Sequence, residues 1–139
     1  MKNFCLIIFV FLTLSSAGFS QNNRAKELFD LYRNGEFDIL KGMISPLQGK
    51  IESDTTLYIR FLITEDGEKA VEFLELLTER YPRSQFAVAS YAGMYLFYLA
   101  NDNFRKANNC VLMVENEFPG ESISYFLDDT LAPEGEGVE

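Results

Sequence analysis

The chain has 139 residues and a net charge of −9, a length that fits one domain. A hydrophobic content of 47% with 14% aromatic residues is enough for a packed core and excludes disorder over most of the length. The acidic balance repels phosphate backbones and argues against nucleic acid as a partner. The absence of histidine removes the commonest general base and the commonest metal ligand.

The first 20 residues have the layout of a secretory signal peptide. Lys2 supplies the positive start, Phe4 to Leu14 is an unbroken apolar run, and the small residues Ser15, Ser16, Ala17, Gly18 and Ser20 follow. The run is too short for a membrane span, which needs about 20 apolar residues. Cleavage is expected after Ser20, with Ala17 as the alternative. Once the signal is removed, no integral membrane span remains. Cys5 leaves with the signal, so the exported domain keeps only Cys110 and relies on packing rather than a disulfide. Cys110 falls on an expected helix as a small buried hydrophobe.

The expected domain runs from 21 to 131, and helical periodicity dominates it. Asn22-Asn23 caps a helix over 23–33, with Leu28, Leu31 and Tyr32 on one face, and Asn34-Gly35 stops it. A second helix covers 36–44, with Phe37, Leu40 and Ile44 on one stripe, Gly42 weakening it and Ser45-Pro46 closing it. Residues 48–53 read as a linker. Ser53 or Asp54 then caps a helix to Thr64, although Thr55, Thr56, Ile59 and Ile63 also suit a strand. The pattern over 68–81 is strongly amphipathic: Val71, Leu74, Leu77 and Tyr81 face inward, and Glu72, Glu75 and Glu79 face water. Pro82 prevents continuation. Ser84 opens a helix to Ala100 that is apolar on most sides. After Asn101-Asp102-Asn103, a helix over 104–118 ends at Pro119-Gly120. A last short helix over 121–131 carries Ile123, Phe126, Leu127 and Leu131 on one face. The tail, 132–139, is acidic and rich in Gly and Pro, and is expected to be disordered. The fold class is therefore all-α, built of antiparallel helix hairpins joined by short turns.

Two stretches repeat at a fixed offset of 37 residues, from Ala70 to Ala107 and from Pro82 to Pro119. A period of this size marks a repeat array. The stretch resembles the tetratricopeptide repeat, whose pattern runs through Trp, Leu-Gly and Tyr to Ala, Phe, Ala and a closing Pro. The later copy places Tyr91, Met94-Tyr95, Tyr98, Ala107, Val111, Val114 and Pro119 at those positions. The earlier copy places Asp54, Leu57-Tyr58, Phe61, Ala70, Leu74, Leu77 and Pro82 there. A weaker third copy lies over Leu28, Leu31, Leu40, Ile44 and Leu47, without the alanine and the proline. Tyr58 and Tyr95 stand where the family favours glycine, and each copy exceeds the usual length of about 34 residues. The resemblance covers 22–131, chiefly 51–120, with an unrelated helical bundle as the alternative. It implies a short right-handed array with a C-terminal capping helix. It is most similar to the arrays of exported bacterial envelope proteins, which places the protein in the periplasm or cell envelope.

The residues offer little for chemistry. Without histidine no Ser–His or Cys–His pair exists, and no phosphate loop or paired-cysteine motif occurs. Glu72, Glu75 and Glu79 share a helical face but lack the loop of oxygen ligands that calcium requires. Asp128-Asp129 also reads as solvated. No catalysis, cofactor or metal is expected.

The resemblance points instead to a surface. In the family, the first helices of the hairpins line a concave groove, and the matching positions are Phe29, Tyr32, Ile59, Leu62, Ile63, Ala92, Leu96 and Leu99. All are apolar. An open groove of this kind would accept an amphipathic helix or an extended peptide. The competing expectation is that the C-terminal helix, 123–131, fills it as a cap. The sequence thus reads as a binding or scaffold module, with a structural homodimer as the alternative and a carboxylate-based enzyme behind both.

Overall fold

The computed structural model describes residues 16–47 and 52–131. The apolar run of the signal with Cys5, most of the expected linker, the tail, and the side chains of Asp128, Asp129 and Leu131 lie outside the described residues. The described residues form seven α-helices and one short 3₁₀ turn, with no strand. The chain divides into two compact units between Ile51 and Glu52.

The first unit pairs α1 (Ser16–Arg33) with α2 (Phe37–Ile44), which runs into a 3₁₀ turn at Ser45–Leu47. α1 begins before the expected cap, so Asn22 and Asn23 lie inside it and both expected cleavage points fall within its first turns. Its end follows the sequence signal. Gly35 takes a left-handed φ of 73°, which costs glycine nothing. This lets the Gly35 and Glu36 amides bond back to Tyr32 and Leu31. Leu28, Leu40 and Ile44 are buried. Phe37, expected on the same stripe, is exposed and meets the Tyr32 ring edge-on at 6.0 Å.

The second unit contains α3 (Asp54–Ile63), α4 (Gly67–Arg80), α5 (Ala87–Ala100), α6 (Phe104–Glu117) and α7 (Ser124–Leu131). Consecutive helices from α3 to α6 pack side by side, and α7 returns onto α5. α3 is a helix despite its β-branched residues. Ser53 Oγ accepts the Thr56 amide at 3.2 Å, and Leu57 and Ile59 are fully buried. A cap is worth about 1 kcal/mol, more than the few tenths that each β-branched residue costs. The residues read as the end of a linker belong to this unit. Glu52 is buried and forms an ion pair with Arg60, and Arg60 also lies 5.8 Å from the centre of the Phe73 ring.

The 37-residue period is present in the backbone. α4 and α6 each have 14 residues and keep that offset at both ends (67 to 104, 80 to 117). Both begin with a side-chain cap, Asp66 accepting the Lys69 amide and Asn103 the Lys106 amide. The hydrogen bond from the Lys69 amide also holds the Asp66 carboxyl below its ordinary pKa. Both helices end in an aromatic residue with nearly the same conformation, Tyr81 at φ −129°, ψ 60° and Phe118 at φ −129°, ψ 71°. Each aromatic folds back toward the start of its own hairpin. The Tyr81 hydroxyl donates to the Glu52 carbonyl at 2.7 Å, and the Phe118 ring lies 6.4 Å from Tyr91. Ala70 and Ala107 are both buried at the hairpin contacts.

α5 starts at Ala87 rather than Ser84. Ser84 is spent elsewhere: its hydroxyl donates to Asp54 Oδ2 at 2.6 Å and accepts the Phe86 amide at 3.1 Å. Phe86 stacks on Tyr58 at 4.8 Å. A close approach of α5 to the α3–α4 hairpin falls at Gly93, outside the repeated positions. A Cβ there would lie 2.8 Å from Leu74 Cδ1 and 3.3 Å from Phe61 Cζ. Gly93→Val is expected to lower stability by about 1–3 kcal/mol through overpacking. The loss should shrink in a Leu74→Ala background, where the obstructing atoms are gone. Urea denaturation of the four-member cycle checks this, and purely additive effects would show that the contact at Leu74 is not the cause.

Candidate functional site

The eight groove positions do not share one environment. Ile59 is 0% exposed and Ala92 2%, so both belong to the core. Ala92 lies in the same buried cluster as Ile123, against which Leu127 also packs. Leu62, Ile63 and Leu96 are half-buried, and Leu99 is 39% exposed. In the first unit, Phe29 and Tyr32 are half-buried.

The C-terminal segment packs onto α5. Tyr95, Val111, Val114, Ile123 and Leu127 line one open cleft of about 210 Å³. Tyr95 replaces the glycine that the repeat pattern favours, and its ring forms part of the wall shared by α5, α6 and α7. Tyr95 is the α5 residue in this lining. Ile123 and Leu127 join the core of this unit.

A second open cleft, of about 160 Å³, lies between α4, α5 and α6 and is lined by Glu75, Tyr91, Met94, Tyr98, Lys106 and Cys110, with Asn109 and Met113 at its edge. Glu75 is not simply one of a solvated row. It is half-buried, accepts a hydrogen bond from the Tyr98 hydroxyl, and lies 3.7 Å from Lys106 Nζ. The Lys106 ammonium is also 4.7 Å from the centre of the Tyr98 ring, within cation–π range. Glu72 and Glu79 are exposed, as expected. No group of three His, Cys, Asp or Glu among the described residues is placed to hold a metal ion.

Sequence reasoning missed this cluster because its members come from three helices. Glu75 and Tyr98 are 23 residues apart. The only local signal was a carboxylate on the helix face that turns toward the neighbouring hairpin. The cluster can hold charge and orient a ring, but it offers no activated nucleophile. Burial pushes the Cys110 thiol up to about 11, with the nearby Glu75 charge adding to the rise. A thiol so placed stays protonated and unreactive at neutral pH.

No known protein family, curated protein or solved structure matches the chain. Among the described residues, no helix is long and apolar enough to cross a membrane.

The titrating groups set a direction for stability against pH. Burial raises Tyr91 and Tyr98 above 10.0, the hydrogen bond to Glu75 raising Tyr98 further, and burial raises Cys110 above 9.0. All three hold their protons more tightly folded than unfolded, so stability must fall as pH rises through these values. The urea midpoint is expected to show no contribution from these groups below pH 9 and to decline between 9 and 11, the span from the ordinary to the raised Cys110 value. In Cys110→Ala the decline should begin nearer 10, where tyrosine alone titrates. An unchanged profile in that variant would remove the cysteine from the account.

Proposed function

We propose that the chain is an exported helical-repeat module that binds another protein and performs no catalysis. Its partner would be an amphipathic helix or an extended peptide held against the first helices of the hairpins. The observation that carries this is an apolar set left short of burial: Leu62 and Ile63 at the end of α3, and Leu96 and Leu99 at the end of α5. Ile59 and Ala92, closed within the core, are left out of the contact surface. A contiguous apolar surface of this kind marks a site for a partner helix or peptide.

The tetratricopeptide-like reading of α3–α6 is supported by the equal second helices, the matched caps and the two in-folded aromatics described above. A bound helix or peptide is the mode such hairpins offer. To test it, a photoreactive residue replaces Leu99 and, as a control on the outer face, Glu79. Crosslinking in cells to one different protein from position 99 and not from 79 is the expected result. A product of twice the protein's own mass would favour the homodimer, and equal products from both positions would sink the groove. Leu99→Asp should abolish the specific product while leaving the thermal unfolding midpoint nearly unchanged, because exposed sites tolerate such changes to within about 0.5 kcal/mol.

Export is part of the same proposal and rests on the amino-terminal pattern. Cleavage after Ser20 or Ala17 would trim the start of α1 and leave a helix through Arg33. N-terminal sequencing of protein taken from cells is expected to begin at Gln21, or at Gly18 for the alternative. A chain that still begins at Met1 would refute the signal.

A further inference from the structure

The turn between α1 and α2 carries the chain's only Asn-Gly pair. We propose that Asn34 is a covalent modification site, where spontaneous deamidation converts the amide to aspartate or isoaspartate and unfastens the α1–α2 hairpin. Asparagine is a thermolabile residue, and a glycine after it leaves the attacking backbone nitrogen unshielded. Gly35 has no Cβ, and even one built there would meet no atom within 4 Å. Every residue from Arg33 to Ile39 is exposed, so the turn can open while Leu28, Leu40 and Ile44 stay buried.

The reaction balances with water alone. The Gly35 backbone nitrogen attacks Asn34 Cγ. A nitrogen–carbon bond forms, the bond from Cγ to the side-chain nitrogen breaks, and ammonia leaves with the Gly35 proton. Water then adds to one of the two carbonyls of the succinimide ring. Opening on one side gives aspartate. Opening on the other gives isoaspartate, in which the chain runs through the former side chain and is one methylene longer. In the closed turn the Gly35 amide donates to the Tyr32 carbonyl at 3.1 Å, so the attack proceeds from locally opened molecules.

Both products act on the contacts that close the turn. Asn34 Nδ2 donates to Glu36 Oε1 at 3.2 Å. A carboxylate at residue 34 sets two like charges against each other where a donor met an acceptor. The turn also closes through the Gly35 bond to Tyr32 and the Glu36 bond to Leu31 at 3.0 Å. α2 starts without a side-chain cap, so its entry depends on these backbone bonds. A methylene added between residues 34 and 35 shifts both amides out of register. The related pair Asp66-Gly67 is protected. Its carboxylate accepts the Lys69 amide at 3.1 Å in the cap of α4, and an ionised carboxylate is a far poorer electrophile than an amide.

The test incubates the full folded chain in mildly alkaline heavy-oxygen water, then maps it by tandem mass spectrometry after digestion in ordinary water. Acid carrying the heavy oxygen is expected at residue 34, as aspartate and isoaspartate together. It should appear there before any other asparagine, and Asp66 should show no isoaspartate. Hydrogen exchange is then measured on the deamidated fraction, separated by its added charge. The Gly35 and Glu36 amides are expected to exchange at least about tenfold faster than in intact protein, while the α4 amides keep their protection. An intact Asn34 when another asparagine has converted, or isoaspartate at Asp66 ahead of it, would overturn the site. Unchanged exchange at Gly35 and Glu36 would overturn the loosening. Both measurements use the unsubstituted protein, so no variant has to fold.

Discussion

The second unit depends on covering α5. The helix has no polar face along its length, and a helix of that kind is stable in water only where neighbours surround it. α4 and α6 flank it, α7 closes a third side, and Phe61 and Tyr58 of α3 meet it at Gly93 and just ahead of its start. Its fully buried Ser90 hydroxyl donates within the helix to the Phe86 carbonyl at 2.7 Å, and the Tyr98 hydroxyl donates to Glu75. The other helices of the second unit pack around it or against its neighbours. The glycine at 93 is the concession that lets α5 settle onto the α3–α4 hairpin, since any larger residue would meet Leu74 before the backbones could close.

The polar groups in the second unit follow the same logic at the seams between helices. Glu52 and Arg60 neutralise one another near the start of α3. Glu75, Tyr98 and Lys106 do so between α4, α5 and α6. Neither group is isolated, and no buried side-chain nitrogen or oxygen among the described residues lacks a partner. Breaking the Glu52–Arg60 pair would leave one charge buried, which costs about 3–5 kcal/mol. That is far more than an exposed pair such as Asp66–Lys69 contributes.

Local signals made most of the fold legible in the sequence. The helix stops at Asn34-Gly35, Pro82 and Pro119, and the cap at Ser53, depend on residues within a few positions of one another, and these elements ended or began where expected. The shift of α5 from Ser84 to Ala87 was not legible, because Ser84 bonds to Asp54, 30 residues earlier. The α3 strand alternative failed for a related reason: the capped start and buried Leu57 outweighed β-branching. Of the groove positions, Ile59 and Ala92 are fully buried and Leu62, Ile63, Leu96 and Leu99 are not, a difference the repeat pattern does not carry. Periodicity gives the face of a helix, not the depth at which a neighbour covers it. The cleft between α4, α5 and α6 was equally hidden, since its lining comes from three helices.

The unequal lengths of the first helices have a further consequence. α3 and α5 end in register at Ile63 and Ala100, yet α5 starts at Ala87, a full turn ahead of the position that matches Asp54. That extra turn buries Ala87 and Ser90 completely and follows directly on Phe86, stacked over Tyr58. The two hairpins are therefore not interchangeable parts.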